Sequence, residues 1–430
     1  MSQRSLAEWL AVLEALHPSE IDMGLDRVRA VAERLDVLRP APRVFTVTGT
    51  NGKGSTCAAL ESLLRASGMR TGCYTSPHLL QYNERIRLNG DLADDQSICA
   101  AFAAIDQARG DISLTYFEFG TLAAFWLFQR AELDAVVLEV GLGGRLDAVN
   151  VVDADVAVVT SIGLDHQEYL GSTRESVAFE KAGIMRAGHP VVSGERDLPA
   201  TFTDAVTRLN CQLYVRDRDF AVQAVGDGNW VVEGVDGAGR ARRLQLPAVG
   251  LPRDNLAVAL QAFWAAGLDL ADAQIGLALQ SASATGRLEA RQVMWHGSCR
   301  DLRLDVGHNP HAAGFLAESL RADATRHRVA VFGLLADKDL DGVVAELHGM
   351  FTKWFTAPLP SPRSRPAQVL SAGLTAAGEC ALSCHSIAQA IEQALDSTDA
   401  GTEVVIFGSF FSVAEAILWL SEHAGVSEDG

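Results

Sequence analysis

Short apolar runs alternate with amphipathic segments through residues 43–193 of the chain. Between the runs, apolar residues recur every three or four positions, which is the spacing of a helix with one buried face. The runs themselves lie at residues 43–48, 70–75, 134–140, 155–162 and 189–193. Strands that alternate with helices predict a largely parallel β-sheet covered by helices on both faces.

Polar and glycine-containing segments follow four of these predicted strands. In a parallel α/β sheet, ligands bind at the edge where the strands end. The segments that should meet at this edge are residues 49–55, 76–85, 141–150 and 163–171. We therefore expect one binding crevice lined by all four segments.

The pattern changes beyond residue 220. Turn-forming clusters at residues 226–229 and 234–239 separate short runs in which apolar and polar residues alternate. Such runs, joined by tight turns, predict a small region of antiparallel hairpins over residues 220–246.

The α/β alternation resumes near residue 291. Further apolar runs lie at residues 301–306, 328–334, 353–357 and 403–408, before a last predicted helix from Ser412. This second α/β pattern predicts a Rossmann-like domain. The sequence thus indicates an N-terminal domain over residues 1–287 and a C-terminal domain over residues 291–430, with a hinge near residues 285–291.

A glycine-rich segment at residues 46–56 joins the first predicted strand to a predicted helix. Its glycines let successive backbone N–H groups close on phosphate oxygens, the helix start adds partial positive charge, and Lys53 adds a full charge. The strict P-loop motif is not met, because Gly54 follows the lysine and Val47 replaces the upstream glycine. A structural turn is the alternative, but the flanking elements and the lysine favour phosphate binding. The residues predicted to bind the nucleotide here are Gly49, Asn51, Gly52, Lys53, Gly54 and Ser55.

Glu139 ends an otherwise apolar predicted strand. Burying a carboxylate is unfavourable unless a positive charge compensates it. One interpretation is a salt bridge with Arg145, and the other is a Mg²⁺ ligand at the ligand edge of the sheet. The second is favoured because His166 follows the next strand at the same edge. Ser76, just after the second strand, is a third candidate ligand.

Lys181 lies near the end of a helix predicted over residues 173–181. A lysine at this position can simply complement the helix dipole. Close to a metal-bound nucleotide, it could instead become anionic by carbamylation, and the sequence pattern does not distinguish the two.

The second domain has its own strand followed by a polar turn, at residues 304–310. Asp305 and His308 in this turn are candidate site residues. With Arg287 near the hinge and Asn255 in the first domain, we expect them to complete a nucleotide site between the domains.

Composition narrows the class of partner. The 430-residue chain carries a formal charge of −18, which argues against nucleic acid or an anionic membrane as its main partner. Its seven scattered cysteines indicate reduced thiols. No run approaches the roughly 20 apolar residues of a membrane span, and no secretory signal is recognisable. We expect a cytoplasmic protein that acts on small molecules.

Taken in order, these motifs resemble the Mur ligase superfamily and, within it, the folylpolyglutamate synthases. The resemblance rests on residues 48–55, 75–79, 83–86, 139–148, 165–166, 180–184 and 308–310. Residues 21–25 and 114–118 resemble a bacterial branch that combines dihydrofolate synthase and folylpolyglutamate synthase activities. Together the matching segments extend over nearly the whole chain.

This resemblance implies a P-loop ATPase domain of the Mur ligase central type, followed by a glutamate-ligase domain. It implies ATP and Mg²⁺, with two metal sites, as cofactors. The implied metal ligands are Ser76, Glu139 and His166, and Lys181 would be the carbamylated lysine. Asn255, Arg287 and Asp305 would contact the nucleotide, in addition to the glycine-rich segment.

The resemblance also implies a substrate site and a catalytic set. The residues implied around the pterin substrate are Ile21, Asp22, Met23, Gly24, Thr115, Tyr116, Phe117, Glu118, Leu146, Asp147 and Ala148. The implied catalytic residues are Lys53, His166, Lys181, Asp305 and His308.

The implied reaction adds L-glutamate to dihydropteroate and to reduced folates through an acyl phosphate, in a protein expected to be a monomer. Three alternatives remain open: a folylpolyglutamate synthase without the second activity, another Mur-type ligase, and a P-loop kinase of a small molecule. Dependence of ATP turnover on glutamate separates the ligases from the kinase.

Overall fold

The computed structural model describes residues 4–17, 19, 21–226, 229–247, 249–321 and 326–423. The chain divides into two compact units, Met1–Ser283 and Ala284–Gly430. This division lies a few residues before the boundary expected at residues 287–291.

A mixed, mostly parallel sheet forms the centre of the first unit, and among the described residues it has eight strands. Its strands are β1 (Arg43–Thr48), β2 (Thr71–Tyr74), β3 (Ile86–Leu88), β4 (Asp91–Leu92), β5 (Ala135–Glu139), β6 (Val156–Val159), β7 (Pro190–Ser193) and β8 (Gln212–Val215). Their order across the sheet is β4-β3-β2-β5-β1-β6-β7-β8. All pairs from β2 to β8 are parallel, which confirms the predicted α/β sheet, whereas β3 and β4 pair antiparallel at one edge.

Helices cover both faces of this sheet, which is why its central strands are buried along their whole length. The helices are α1 (Leu6–Leu16), α2 (Asp26–Leu35), α3 (Lys53–Ala66), α4 (Asp95–Arg109), α5 (Tyr116–Arg130), α6 (Gln167–Leu170), α7 (Arg174–Ala182), α8 (Ala200–Arg208), α9 (Arg253–Ala265) and α10 (Asp272–Ser281). One core lies beneath α1, α2, α4 and α5, and a second lies beneath α7 and α8. Helix α3 packs against α9 and α10.

The region predicted as hairpins is a three-stranded antiparallel sheet of β9 (Ala221–Ala224), β10 (Asn229–Val235) and β11 (Ala241–Pro247). The prediction is therefore confirmed. Gln261 of α9 joins this sheet to the rest of the unit, because its buried amide accepts from Val235 N at 3.0 Å and donates to Val235 O at 2.7 Å.

The second unit is also α/β, as predicted. Its described strands form one sheet: β12 (Glu289–Trp295), β13 (Ser298–Asp305), β14 (Arg328–Phe332), β15 (Trp354–Thr356), β16 (Ala381–Ser383) and β17 (Glu403–Phe407). The helices are α11 (Pro310–Arg321), α12 (Leu340–Glu346), α13 (Ala367–Ala376), α14 (Ile387–Asp396) and α15 (Phe410–His423). The order is β12-β13-β17-β14-β15-β16, and only β12 runs antiparallel to its neighbour.

Two features of the second unit differ from the sequence interpretation. Strand β12 begins at Glu289, inside the segment taken as a hinge, and was not predicted. It is an edge strand with mostly exposed side chains, so it lacks an apolar run. The last helix begins at Phe410, two residues before Ser412. In the part of the chain that the structure describes, no helix has the length and apolar character needed to span a membrane.

Candidate active site

The glycine-rich segment forms the turn between β1 and α3, as predicted. Gly52 has a φ of 85°, and a Cβ placed on it would lie 2.5 Å from Asn255 Oδ1. A Cβ on Gly49 would lie 1.8 Å from Thr160 Oγ1. Both positions therefore require glycine, because any side chain would collide with a neighbouring segment. The same contact brings Asn255, predicted from a distant part of the chain, directly to the loop.

Lys53 is the first residue of α3, where it is half-buried. Its Nζ donates to Gly49 O at 2.9 Å and contacts Thr50 O at 3.5 Å, so the side chain folds over the loop. The hydroxyls of Ser55 and Thr56 are buried beside it without a hydrogen-bond partner. Unpaired buried hydroxyls are unfavourable, and at a helix start they fit a phosphate or its metal ion as the missing partner.

The phosphate loop is fastened to the segment that follows β6. Asn51 N donates to Ser161 Oγ at 3.0 Å, and Thr50 Oγ1 donates to Gly163 O at 2.9 Å. This segment leads into His166, the residue before α6. The glycine-rich loop and the predicted metal ligand His166 thus belong to one connected edge.

Glu139 ends β5 beside β1 and is only 3% exposed. Its Oε2 accepts a hydrogen bond from Ser76 N at 3.2 Å, so two of the three predicted metal ligands meet. Arg145, the alternative partner, instead forms an ion pair with Glu180, with 2.8 Å between Nη2 and Oε1. The salt-bridge interpretation of Glu139 with Arg145 is therefore wrong.

His166 is exposed and has a φ of 48°, at the start of α6. Among the described residues, no three His, Cys, Asp or Glu side chains cluster closely enough to hold a metal ion. Mg²⁺ binds through one or two protein carboxylates and completes its shell with phosphate and water. The sparse set around Glu139 and Ser76 fits this ion, and the unpaired Ser55 hydroxyl offers a further oxygen.

Lys181 is buried in the last turn of α7. Burial lowers the pKa of its amine to about 7; the nearby charge of Lys53 lowers it further, while Asp165 and Asp147 oppose the shift. Asp147 shows the opposite shift. Burial raises the pKa of its carboxyl to about 7, although hydrogen bonds from the backbone N–H groups of Leu142 and Val149 oppose this rise. The edge therefore holds two lysines and two aspartates whose charges act on one another.

A clamp holds the segment carrying Asp147 against α7. Arg145 N donates to Glu180 O at 2.8 Å, and Asn150 Nδ2 donates to both Arg145 O and Gly183 O at 3.0 Å. A Cβ on Gly183 would lie 2.3 Å from Arg145 Cβ, which shows how closely the two segments pack. Glu180 and Asn150, which were not predicted as site residues, make these contacts on either side of Lys181.

Two of the three segments predicted around the pterin substrate contact the glycines that precede the third, residues 146–148. Phe117 lies under Gly141, where a Cβ would be 2.6 Å from its ring. Met23 lies beside Gly143, at 3.7 Å from the corresponding Cβ position. Thr115 caps α5, accepting from Glu118 N at 3.2 Å.

Two of the predicted substrate residues, Asp22 and Glu118, form ion pairs with Arg27, which was not predicted as a site residue. Arg27 Nη1 lies 2.7 Å from Asp22 Oδ2, and Arg27 Nη2 donates to Glu118 Oε1 at 3.0 Å. Glu118 is buried and also accepts from Thr115 N at 2.8 Å. Through Arg27, these carboxylates join residues 21–24 to the start of α5. A single arginine in an amphipathic helix carries no local signal of this role.

A histidine and an arginine lie on the loop after β2. Arg85 Nε donates to His78 Nδ1 at 2.8 Å. Burial, and then the charge of Arg85, lower the pKa of the His78 imidazole to about 4. His78 is therefore neutral at pH 7 and serves as the acceptor.

The second unit has a site of its own at the end of β13. Asp305 Oδ1 accepts from Gly307 N at 2.8 Å, and Oδ2 accepts from Leu288 N at 2.9 Å. Burial raises the pKa of Asp305, while the charges of Arg287 and His308 oppose the shift. The structure thus brings Asp305 and His308, predicted in the second domain, together with Arg287, predicted near the hinge.

Phe410 completes this second group. The Arg287 guanidinium lies 5.1 Å from the Phe410 ring centroid, and the His308 ring lies 6.3 Å from it. Phe410 was not predicted here, because the last helix was expected to begin only at Ser412.

Comparison with known proteins identifies both units. The model of the Mur ligase middle domain matches residues 47–193, and that of the Mur ligase glutamate ligase domain matches residues 286–410. The dihydrofolate synthase/folylpolyglutamate synthase of Escherichia coli K12 is 46% identical over 417 residues, which cover 96% of this chain and 94% of that protein.

Solved structures agree. Escherichia coli FolC in complex with DHPP and ADP has a TM-score of 0.91 at 44% identity, covering 97% of this chain and 98% of that one. The bifunctional enzyme of Yersinia pestis with AMPPNP and Mn ion has a TM-score of 0.90 at 44% identity, with the same coverage of both chains. This chain belongs to the dihydrofolate synthase/folylpolyglutamate synthase family of Mur ligases.

Proposed function

We propose that this chain is an ATP-dependent ligase that adds L-glutamate to dihydropteroate, giving dihydrofolate, and to reduced folates, giving polyglutamates. The observation that carries the proposal is the edge of the first unit, where a phosphate loop, a buried carboxylate and two lysines meet. Relatives at 44% identity bind ADP together with DHPP, and AMPPNP together with Mn ion.

The chemistry explains why the site needs a triphosphate. A carboxylate is a poor electrophile, so its oxygen first takes the terminal phosphoryl group of ATP, giving an acyl phosphate and ADP. The amine of L-glutamate then attacks the acyl carbon, and phosphate leaves as the amide forms. The protein lowers the barrier to phosphoryl transfer by positioning the reacting groups and by placing positive charge near the transferring phosphoryl group.

The glycine-rich loop positions the triphosphate and supplies positive charge to it. The segment from Gly49 to Ser55, including Asn51, Gly52, Lys53 and Gly54, would hold the ATP phosphates. Lys53 Nζ already lies across the loop, 2.9 Å from Gly49 O, and would turn to the phosphates when they bind. Asn255, Arg287 and Asp305 would contact the rest of the nucleotide, with His308 orienting the phosphoryl acceptor.

Ser76, Glu139 and His166 would hold Mg²⁺, in two sites. When bound, the metal neutralises phosphate charge during transfer. Glu139 is suited to this role because it is buried, its Oε2 is oriented by Ser76 N, and its Arg145 alternative is paired elsewhere.

Lys181 would be carbamylated in the active enzyme. Only a neutral amine reacts with CO₂, and with a pKa of about 7 about half of the Lys181 amines are neutral at pH 7. A carbamate would replace a buried cation by an anion beside Lys53, which removes the repulsion between the two lysines. Burial thus favours carbamylation for the same reason that it disfavours the protonated form of an unmodified Lys181.

The acid substrate would lie on the surface formed by residues 21–24, residues 115–118 and residues 146–148. Phe117 offers an aromatic face beside Gly141, and such faces stack with flat heterocycles. Leu146 and Ala148 flank Asp147, whose carboxyl accepts two backbone N–H bonds and is thereby fixed in place.

The decisive experiment measures ADP release by the pure protein with ATP and Mg²⁺. We expect release only when a pteroate-type acid and L-glutamate are both present, and D-glutamate is the matched control for the amine. ADP release that ignores glutamate would indicate a kinase instead. Activity on reduced folates but not on dihydropteroate would indicate a folylpolyglutamate synthase alone, and activity only on a nucleotide-linked muramyl acid would indicate another Mur-type ligase.

Two properties of the working protein complete the proposal. We expect a monomer, and analytical ultracentrifugation across a range of concentrations tests this. We expect it to act in the cytoplasm on small molecules rather than on nucleic acid, in keeping with its free cysteines and its charge of −18.

A further inference from the structure

Arg85 differs from the other arginines around the active-site edge. Arg27 pairs with Asp22 and Glu118, Arg145 pairs with Glu180, and Arg174 pairs with Glu195. Among the described residues, no acidic side chain forms a salt bridge with Arg85. Its neighbours are the His78 ring, which accepts from Nε at 2.8 Å, and two tyrosine rings.

The tyrosine rings hold the guanidinium without neutralising it. Arg85 Cζ lies 5.6 Å from the ring centroid of Tyr82 and 5.5 Å from that of Tyr116. The nearest acidic residue in sequence, Glu84, is fully engaged, because its carboxylate accepts from the backbone N–H groups of residues 79, 80 and 81. Arg85 is therefore a half-buried cation whose charge no described carboxylate neutralises, and its guanidinium is suited to pairing with an anion.

Arg85 also lies between the predicted metal ligands Ser76 and Glu139 and the segment proposed to bind the pterin. Thr75 N donates to Arg85 O at 2.9 Å, so Arg85 lies at the end of β2 beside Ser76, whose N–H reaches Glu139. On its other side, Tyr116 begins α5 in the segment proposed to bind the pterin. An anion on Arg85 would thus lie near the reacting end of the acid.

The two acids of the proposed reaction differ in charge near that end. A pteroate-type acid has a single carboxylate, which is the one that reacts. An acid that already ends in glutamate has two, and the carboxylate that does not react must also be accommodated close to the first. An enzyme that uses both acids therefore needs a cation for the non-reacting carboxylate only when the acid already ends in glutamate.

We infer that Arg85 binds the non-reacting carboxylate of acids that already end in glutamate, and so selects for the second of the two activities. The inference rests on the proposed function. Guanidinium and carboxylate form paired, charge-assisted hydrogen bonds, which lysine cannot reproduce with the same geometry.

The test compares the two acids in one protein. For Arg85→Gln we expect kcat/KM for a reduced folate to fall about 10–100-fold, mainly through KM, because one charge-assisted hydrogen-bonded contact is lost. We expect kcat/KM for dihydropteroate to stay within about threefold, because that acid has no second carboxylate. Arg85→Lys should recover part of the folate activity, and Arg34→Gln, an exposed arginine that donates to Ala108 O and Arg109 O, is the matched control.

A substrate change sharpens the result. A folate whose non-reacting carboxylate is replaced by a carboxamide should be a poor substrate of the unchanged enzyme, and Arg85→Gln should not weaken it further. Equal loss for both acids, or a further loss with the carboxamide, would overturn the inference and leave Arg85 as a support for the loop. Absence of ligase activity in the unchanged protein would instead contradict the proposed function itself.

Discussion

The two units each bury a carboxylate at the end of a strand, but the cations at the same edge differ. In the first unit, Glu139 lies at an edge that also holds Lys53 and Lys181. In the second, Asp305 accepts two backbone N–H bonds and faces Arg287 and His308 beside the Phe410 ring. Lysines are compact point charges, whereas guanidinium and imidazole are flat and stack on rings. The first edge is thus suited to phosphate and metal, and the second to orienting organic groups.

The largest expected effect comes from removing a cation of the first edge. Lys53→Ala should lower kcat by about 10²–10³-fold, because a charge aimed at the transferring phosphoryl group is lost. Steady-state ADP release at saturating ATP measures this. The melting temperature should stay close to that of the unchanged protein, since the hydrogen bonds of Lys53 lie within its own loop. Activity near the original level would remove the phosphate-loop assignment.

The comparison between the two carboxylates is tested directly by neutralising each. Glu139→Gln should raise the Mg²⁺ concentration needed for half-maximal activity by about 10–100-fold, because a ligand charge is lost at the metal. Asp305→Asn should leave that midpoint unchanged and raise KM for ATP instead. Metal titrations of both variants decide the matter, and equal shifts of the midpoint would erase the distinction between the units.

Lys181 makes the first edge sensitive to pH. With a folded pKa of about 7 against an ordinary value of 10.5, the unfolded chain holds the extra proton between pH 7 and 10.5. Stability contributed through this group therefore rises with pH across that window, by at most about 1.4 kcal/mol per pH unit. Denaturant unfolding of nucleotide-free protein, without bicarbonate, at pH 7.5 and 9 should show a smaller rise for Lys181→Met. An unchanged rise would indicate that Lys181 is not titrating there.

The smallest expected effect tests the support behind the pterin segments. Arg27→Met should raise KM for dihydropteroate about threefold to tenfold with kcat little changed, because hydrogen bonds that join residues 21–24 to α5 are lost. KM for ATP is the internal control and should not move. A fall in kcat without a change in KM for the acid would contradict this positioning role.

Local patterns were sufficient wherever an element is buried on both faces. Apolar runs and clustered glycines are compatible with few local structures. They therefore predicted strand β1, the glycine-rich turn and helix α3. Strands β3 and β12 could not be predicted, since β3 has only three residues and lies next to the edge strand β4, whereas β12 is an edge strand with mostly exposed side chains. Their pairing depends on neighbours elsewhere in the chain.

The residues of the candidate site likewise fall into those with a local sequence signal and those without one. Residues such as Glu139 and Asp305 could be predicted because a carboxylate at the end of an apolar strand is unusual in itself. Arg27, Glu180 and Phe410 could not, because each is ordinary in its own helix or at its boundary and gains a role only from its partner.

The sequence by itself determined the parallel architecture, the glycine-rich turn and the family, because these depend on residues close together in the chain. Only the tertiary structure decided which charges meet. Burial among distant segments lowers the pKa of Lys181, Arg145 pairs with Glu180 rather than Glu139, and Arg85 alone among the neighbouring arginines described here is left without a carboxylate. Electrostatic interactions depend on distance and burial in space, and neither quantity can be read from separation along the chain.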